Sequence, residues 1–178
     1  MKTILKLIAV AAFVQTVAAT PITGGISFDG MVQLDSATVG SATKAISWSS
    51  AAVKTSSGSF APLGSSDALT LAPLWLFNTG PVQNFWSVGG FNFNLSTSAI
   101  FSQDTSFLNV FLAGNVSGNG YETTAFTGSF QINQSPVNGV TKFSQNYSFN
   151  GVPDGGSTVL LLGAAMSGLM LIRRKLNA

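Results

Sequence analysis

Serine is abundant in this chain, but a serine nucleophile needs a base, and the 178 residues contain no His and no Cys. Ser-His-Asp and Cys-His arrangements are therefore excluded, as is a metal site built on imidazole or thiolate. Between the two chain ends the acids are Asp29, Asp35, Asp67, Asp104 and Glu122. Two carboxylates suffice for one reaction, cleavage of a glycosidic bond. Asp29 and Asp35 share one face of an alternating segment, yet six residues at strand rise set them about 20 Å apart, too far for either glycosidase geometry. The sequence also has no Asp-x-Asp-x-Asp calcium loop and no Gly-rich phosphate loop with its lysine. The expectation is solvated carboxylates, no catalytic residue, no cofactor and no metal. A glycan-active enzyme using carboxylates alone is the catalytic alternative.

Aromatic side chains are the second set with binding chemistry. Trp48, Trp75, Trp86 and Tyr121 could pack against the apolar faces of sugar rings. Trp75 and Trp86 sit in apolar runs and read as core, whereas Trp48 and Tyr121 have small or polar neighbours and are the candidates for ligand stacking. Of the 14 phenylalanines, all but Phe13 lie between the chain ends. At roughly 2 kcal/mol or more per buried side chain, they can supply much of the folding free energy of a domain without disulfides.

The formal charge of +2 is misleading, because Lys2, Lys6, Arg173, Arg174 and Lys175 all belong to the chain ends. Between them, three lysines stand against five carboxylates, so the body has no electrostatic footprint for nucleic acid. At the N-terminus, Lys2 and Lys6 precede the apolar run Leu7 to Val14 and then Val17-Ala18-Ala19. This is the pattern of a signal peptide over 1–19, cleaved after Ala19, with an uncleaved N-terminal anchor as the alternative. The chain is thus divided into 1–19, an exported body over 20–151 and a C-terminal segment over 152–178.

That C-terminal segment has three parts. Pro153 cannot continue a helix from upstream, and Asp154-Gly155-Gly156 is a turn with open backbone, a form that a protease can take. The apolar stretch 156–172 is just long enough to cross a bilayer as a helix. Arg173, Arg174 and Lys175 then hold the end of the chain in the cytoplasm and leave the body outside. Motif (152–158), helix (156–172) and basic cluster (173–175) together resemble the PEP-CTERM sorting signals read by exosortases in Gram-negative bacteria. Val152-Pro153-Asp154-Gly155-Gly156-Ser157-Thr158 resembles the Val-Pro-Asp variant of that signal, in place of Pro-Glu-Pro.

The resemblance implies insertion in the inner membrane and recognition around Pro153 and Asp154 by an exosortase-type cysteine transpeptidase. It further implies removal of the helix and transfer of the body to the cell surface or extracellular matrix, with an association with exopolysaccharide and biofilm. A permanent single-span anchor is the alternative.

The body reads as all-β, an antiparallel sandwich or barrel-like domain of about ten strands. Ile26, Phe28, Val32 and Leu34 alternate with mostly polar residues, as do Phe126, Gly128, Phe130 and Ile132, and then Phe143, Gln145, Tyr147 and Phe149. Weaker strands are expected at 44–48 and 52–56, short ones at 68–71 and 74–77 around Pro73, and a hairpin around Gly89-Gly90. The run from Phe107 to Val116 is apolar on both sides around Val110, Phe111 and Leu112, which predicts a central strand covered on both faces for part of its length. The faces turned to solvent carry Ser, Thr, Asn and Gln. Such a surface suits a non-catalytic surface or matrix protein, or alternatively a polysaccharide-binding module.

Overall fold

The computed structural model describes residues 19–65 and 67–149. The predicted signal peptide up to residue 18 and the whole C-terminal segment, with its expected membrane helix, lie outside the described residues. Among the described residues nine antiparallel strands are formed: β1 (Gly24–Leu34), β2 (Lys44–Gly58), β3 (Thr70–Leu71), β4 (Trp75–Leu76), β5 (Val82–Val88), β6 (Phe91–Gln103), β7 (Leu108–Gly118), β8 (Tyr121–Ile132) and β9 (Val140–Phe149). They make one sheet in the order β3-β5-β6-β7-β8-β9-β1-β2-β4, curled into a half-barrel. The all-β expectation holds, with nine strands where about ten were expected. In place of two stacked sheets there is one continuous ladder, because long strands with bulges coil a sheet onto itself without breaking it.

From β5 to β9 the chain is a meander of hairpins, and β9 closes back on β1. The predicted Gly89-Gly90 connection is a two-residue turn with both glycines at positive φ, 53° and 84°, as such tight hairpins require. Of the residues expected inside from the alternations of β1, β8 and β9, all are buried except Gly128, which is half-buried.

Two elements differ from the sequence reading. The two weak strands expected at 44–48 and 52–56 are one strand of 15 residues, β2. Its pairing with β1 shifts register at three places, and Ser50 sits at φ 53° within one of these irregularities, which disrupts the alternation. The strand β7 is central, between β6 and β8, but it is covered on one face only. Val110, Leu112 and Val116 are buried, while Phe111 is 44% exposed. A single curled layer leaves its convex side open, so the apolar character of Phe111 reports no second covering layer.

The segment 67–77 acts as a strap across the seam of the curled sheet. It pairs with β2 at its two ends, through the Ala68–Ala52 bridge and the Trp75–Ala45 and Leu76–Lys44 pairs. Between them, Thr70 and Leu71 pair with β5, and the Ala72 N–H donates to the Phe85 carbonyl at 2.8 Å. Both edges of the sheet are therefore occupied by one segment, and the two-residue strands β3 and β4 are its points of attachment. Pro73 falls between them, where its missing amide donor breaks no ladder.

Inside, the aromatic rings form two clusters. One contains Phe28, Trp86, Phe93, Phe126, Tyr147 and Phe149, and the other Trp48, Trp75, Phe77, Phe85, Phe130 and Phe143. On β9, Gln145 lies between Phe143 of one cluster and Tyr147 of the other. It is fully buried; its Oε1 accepts a hydrogen bond from the Tyr147 phenol at 2.5 Å, and that phenol accepts one from the Trp86 indole at 3.0 Å. The Gln145 Nε2 has no hydrogen-bond partner among the described residues. Burial pushes the Tyr147 phenol far above its ordinary pKa.

Candidate functional site

The described chain begins and ends at one end of the sheet. Gly24 pairs with Phe149 and with Gly58, and the turns at 89–90 and 118–120 lie at this same, proximal end. The opposite, distal end carries the connections 35–43, 104–107 and 133–139. The exposed large apolar side chains Ile46, Leu74, Leu76, Phe101, Phe111 and Val137 all lie in the distal half, with Phe101 at 80% and Val137 at 74% exposure.

The two residues expected to stack on a ligand are not brought together. Trp48 lies in the distal half opposite Val32, and Tyr121 at the proximal end beside Gly118. Trp48 is half-buried, stacks on Trp75 and donates its indole N–H to the Ala72 carbonyl of the strap at 2.7 Å. It also borders a groove of about 470 Å³ between β2 and the strap, together with Ile46, Leu71 and Pro73. Tyr121 rests on the ring of Phe91. The aromatic side chains that stand most open on the outside are Phe101 and Phe111 instead. Their signal lay in apolar residues at polar-face positions of β6 and β7, which the reading of β7 as covered on both sides concealed.

The carboxylates are dispersed, and most are engaged in local structure. Asp29 pairs with Lys54 across β1 and β2 at 3.4 Å. Asp35 accepts hydrogen bonds from the Thr43 hydroxyl and from the amides of Thr43 and Lys44. Burial pushes the Asp35 carboxyl up, but these three donors outweigh it and hold the group below its ordinary range. Asp104 accepts from the amides of Ser106 and Phe107, each at 2.8 Å, which hold it low as well. Asp67 accepts from the Gly64 amide. Among the described residues no three acidic, His or Cys side chains gather where they could hold a metal ion.

The convex face presents mostly polar rows that run across the strands in register. Asn109, Gln131, Ser144 and Asp29 are successive partners on β7, β8, β9 and β1. One step along the strands, Phe111, Ser129, Asn146 and Ser27 form the next row, and Ser27 shares a 2.6 Å hydrogen bond with Thr55. Neighbouring strands are about 4.8 Å apart, so hydroxyls and amides repeat at that interval. Toward the distal end the first row opens into a cleft of about 440 Å³, lined by Asp29, Met31, Lys54, Gln131, Gln134 and Lys142, among others. Its floor includes Gly30, where a Cβ would lie 2.8 Å from the Ala51 Cα and 2.9 Å from the Phe143 ring.

The last described residue, Phe149, stands three residues before Val152 in the sequence. Residues 151–176 match the family model of the VPDSG-CTERM motif. The tail is a VPDSG-CTERM sorting signal. It is a PEP-CTERM-like variant, as the Val-Pro-Asp reading of the sequence had it, with Gly155 where the motif's name has Ser. The VPDSG-CTERM tail fits an exported, cell-surface protein and implies processing by a sorting enzyme. No family model covers the body. No curated protein and no solved structure matches the chain.

Proposed function

We propose that this chain is a non-catalytic surface or matrix protein. Its tail is cleaved near Pro153 to Gly156 by an exosortase-type enzyme, and its body works in contact with the extracellular polysaccharide of a biofilm layer. The observation that carries this reading is the convex face, where Asn109, Gln131 and Ser144 lie in register in one row and Ser129, Asn146 and Ser27 in the next, with few charges among them. Such a face offers donors and acceptors to sugar hydroxyls without the repulsion of a highly charged surface. The carboxylates give further support: Asp35 and Asp104 are held ionised in turns, where neither can serve as a general acid near neutral pH.

Sedimentation of the full chain, purified in detergent, with insoluble polysaccharide from the surrounding matrix tests the proposal. Co-sedimentation without release of reducing sugar is the expected result. Depolymerisation of the glycan would refute the non-catalytic reading, and failure to sediment with any polysaccharide would refute the contact.

A further inference from the structure

We propose that the distal convex cleft is a binding site for an acidic polysaccharide, a polymer bearing uronate carboxylates, with Lys142 as its principal anion contact. The inference rests on the polysaccharide reading above and adds to it the charge of the ligand and the place where it binds.

The argument begins with how the lysines are distributed. The body has three lysines against five carboxylates, yet two of the three, Lys54 and Lys142, line this one cleft. The single carboxylate between them, Asp29, is paired with Lys54. Lys142, exposed on β9, has no ion-pair partner among the described residues, so this cleft in an otherwise acidic body holds two lysines against one carboxylate. Around it stand the amides of Gln131 and Gln134, which can both donate to and accept from sugar hydroxyls. The volume of about 440 Å³ is in the range of roughly 300–1,000 Å³ typical of small-ligand sites.

The fold supplies the shape. At Asp29–Met31 the pairing of β1 with β2 shifts register, and β2 carries extra residues there, including Ser50 in the left-handed region. The irregularity interrupts the ladder beside the row, Ser50 lines the cleft, and Gly30 permits the close approach of Ala51 and Phe143 beneath it. The cleft also lies away from the end where the sorting tail leaves the body, so an attached chain would turn it outward. Two lysines are too few to hold a nucleic-acid backbone, whose affinity depends on neutralising many phosphates.

The test measures binding of the full chain in detergent to polygalacturonate, to its fully methyl-esterified form and to a neutral glucan. The site predicts binding to polygalacturonate that falls at least fivefold on esterification and weakens with added salt. Lys142→Gln should weaken it by three- to tenfold, while Lys44→Gln, whose lysine lies outside the cleft, should leave it unchanged. Equal affinity for the acidic and esterified polymers, or equal loss in both variants, would overturn the inference and leave the polysaccharide reading standing. Binding to none of the three polymers would overturn both.

Discussion

Gly24, at the start of β1, pairs with Phe149, at the end of β9, so the described chain enters and leaves the half-barrel at the same end. The sorting motif begins three residues beyond Phe149. Attachment through the tail would hold the body by its proximal end, and the prediction is that the exposed apolar residues and the cleft of the distal half then face away from it.

This orientation can be read by labelling, because the chain has no cysteine of its own. Val137→Cys, in the distal 133–139 connection, should react on intact cells with a bulky maleimide reagent. Thr123→Cys, near the proximal end, should react several-fold more slowly on cells and at the same rate once the protein is released. Equal rates on cells would show that the proximal end is not the attached one.

The two faces of β7 and β8 should respond very differently to truncation. Phe130→Ala removes a fully buried ring that touches Trp48, Trp75, Phe77 and Phe143, and should cost about 3–5 kcal/mol. Phe111→Ser, on the convex side, should change stability by no more than about 0.5 kcal/mol. Urea unfolding of the two variants against the parent is the measurement, and comparable losses would contradict the one-layer architecture.

Much of this was legible in the sequence. Period-two alternation of Phe with Ser, Thr or Asn identified β1, β8 and β9, and paired glycines identified the β5–β6 turn. What the sequence concealed has physical causes. A register shift around Ser50 scrambles the alternation of β2, so a long strand reads as two short ones. An exposed Phe111 between buried Val110 and Leu112 mimics a strand covered on both sides. The strap could not be foreseen, since its pairing with both β2 and β5 depends on where the sheet edges meet in space. The cleft was equally hidden, because Lys54 and Lys142 are 88 positions apart in the chain and meet only through the β2-β1-β9 order.

Tyr147 links stability to pH. Its buried phenol keeps its proton in the folded protein, whereas an unfolded tyrosine loses it near pH 10. Above that value the unfolded state holds fewer protons than the folded one, so this stabilisation is complete below about pH 10 and declines as pH rises further. Tyr147→Phe should abolish that component of the alkaline decline. It should also cost about 1–3 kcal/mol at neutral pH, because the Trp86 indole N–H and the Gln145 carbonyl lose their partner. Denaturation midpoints of parent and variant between pH 8 and 11 decide it, and parallel curves would exclude the link.

At the floor of the cleft, Gly30→Ala must displace either the β2 backbone at Ala51 or the Phe143 ring. A loss of about 1–3 kcal/mol is expected, as for other overpacked sites. Thermal unfolding of the variant is the check, and an unchanged midpoint would show that β2 does not approach β1 so closely.

The central claim is that the tail addresses the body to the surface and is then removed. Intact-mass spectrometry of the protein recovered from the cell surface tests it most directly. The account predicts a chain that begins at Thr20 and ends between Val152 and Gly156. A surface protein that still ends at Ala178 would contradict it.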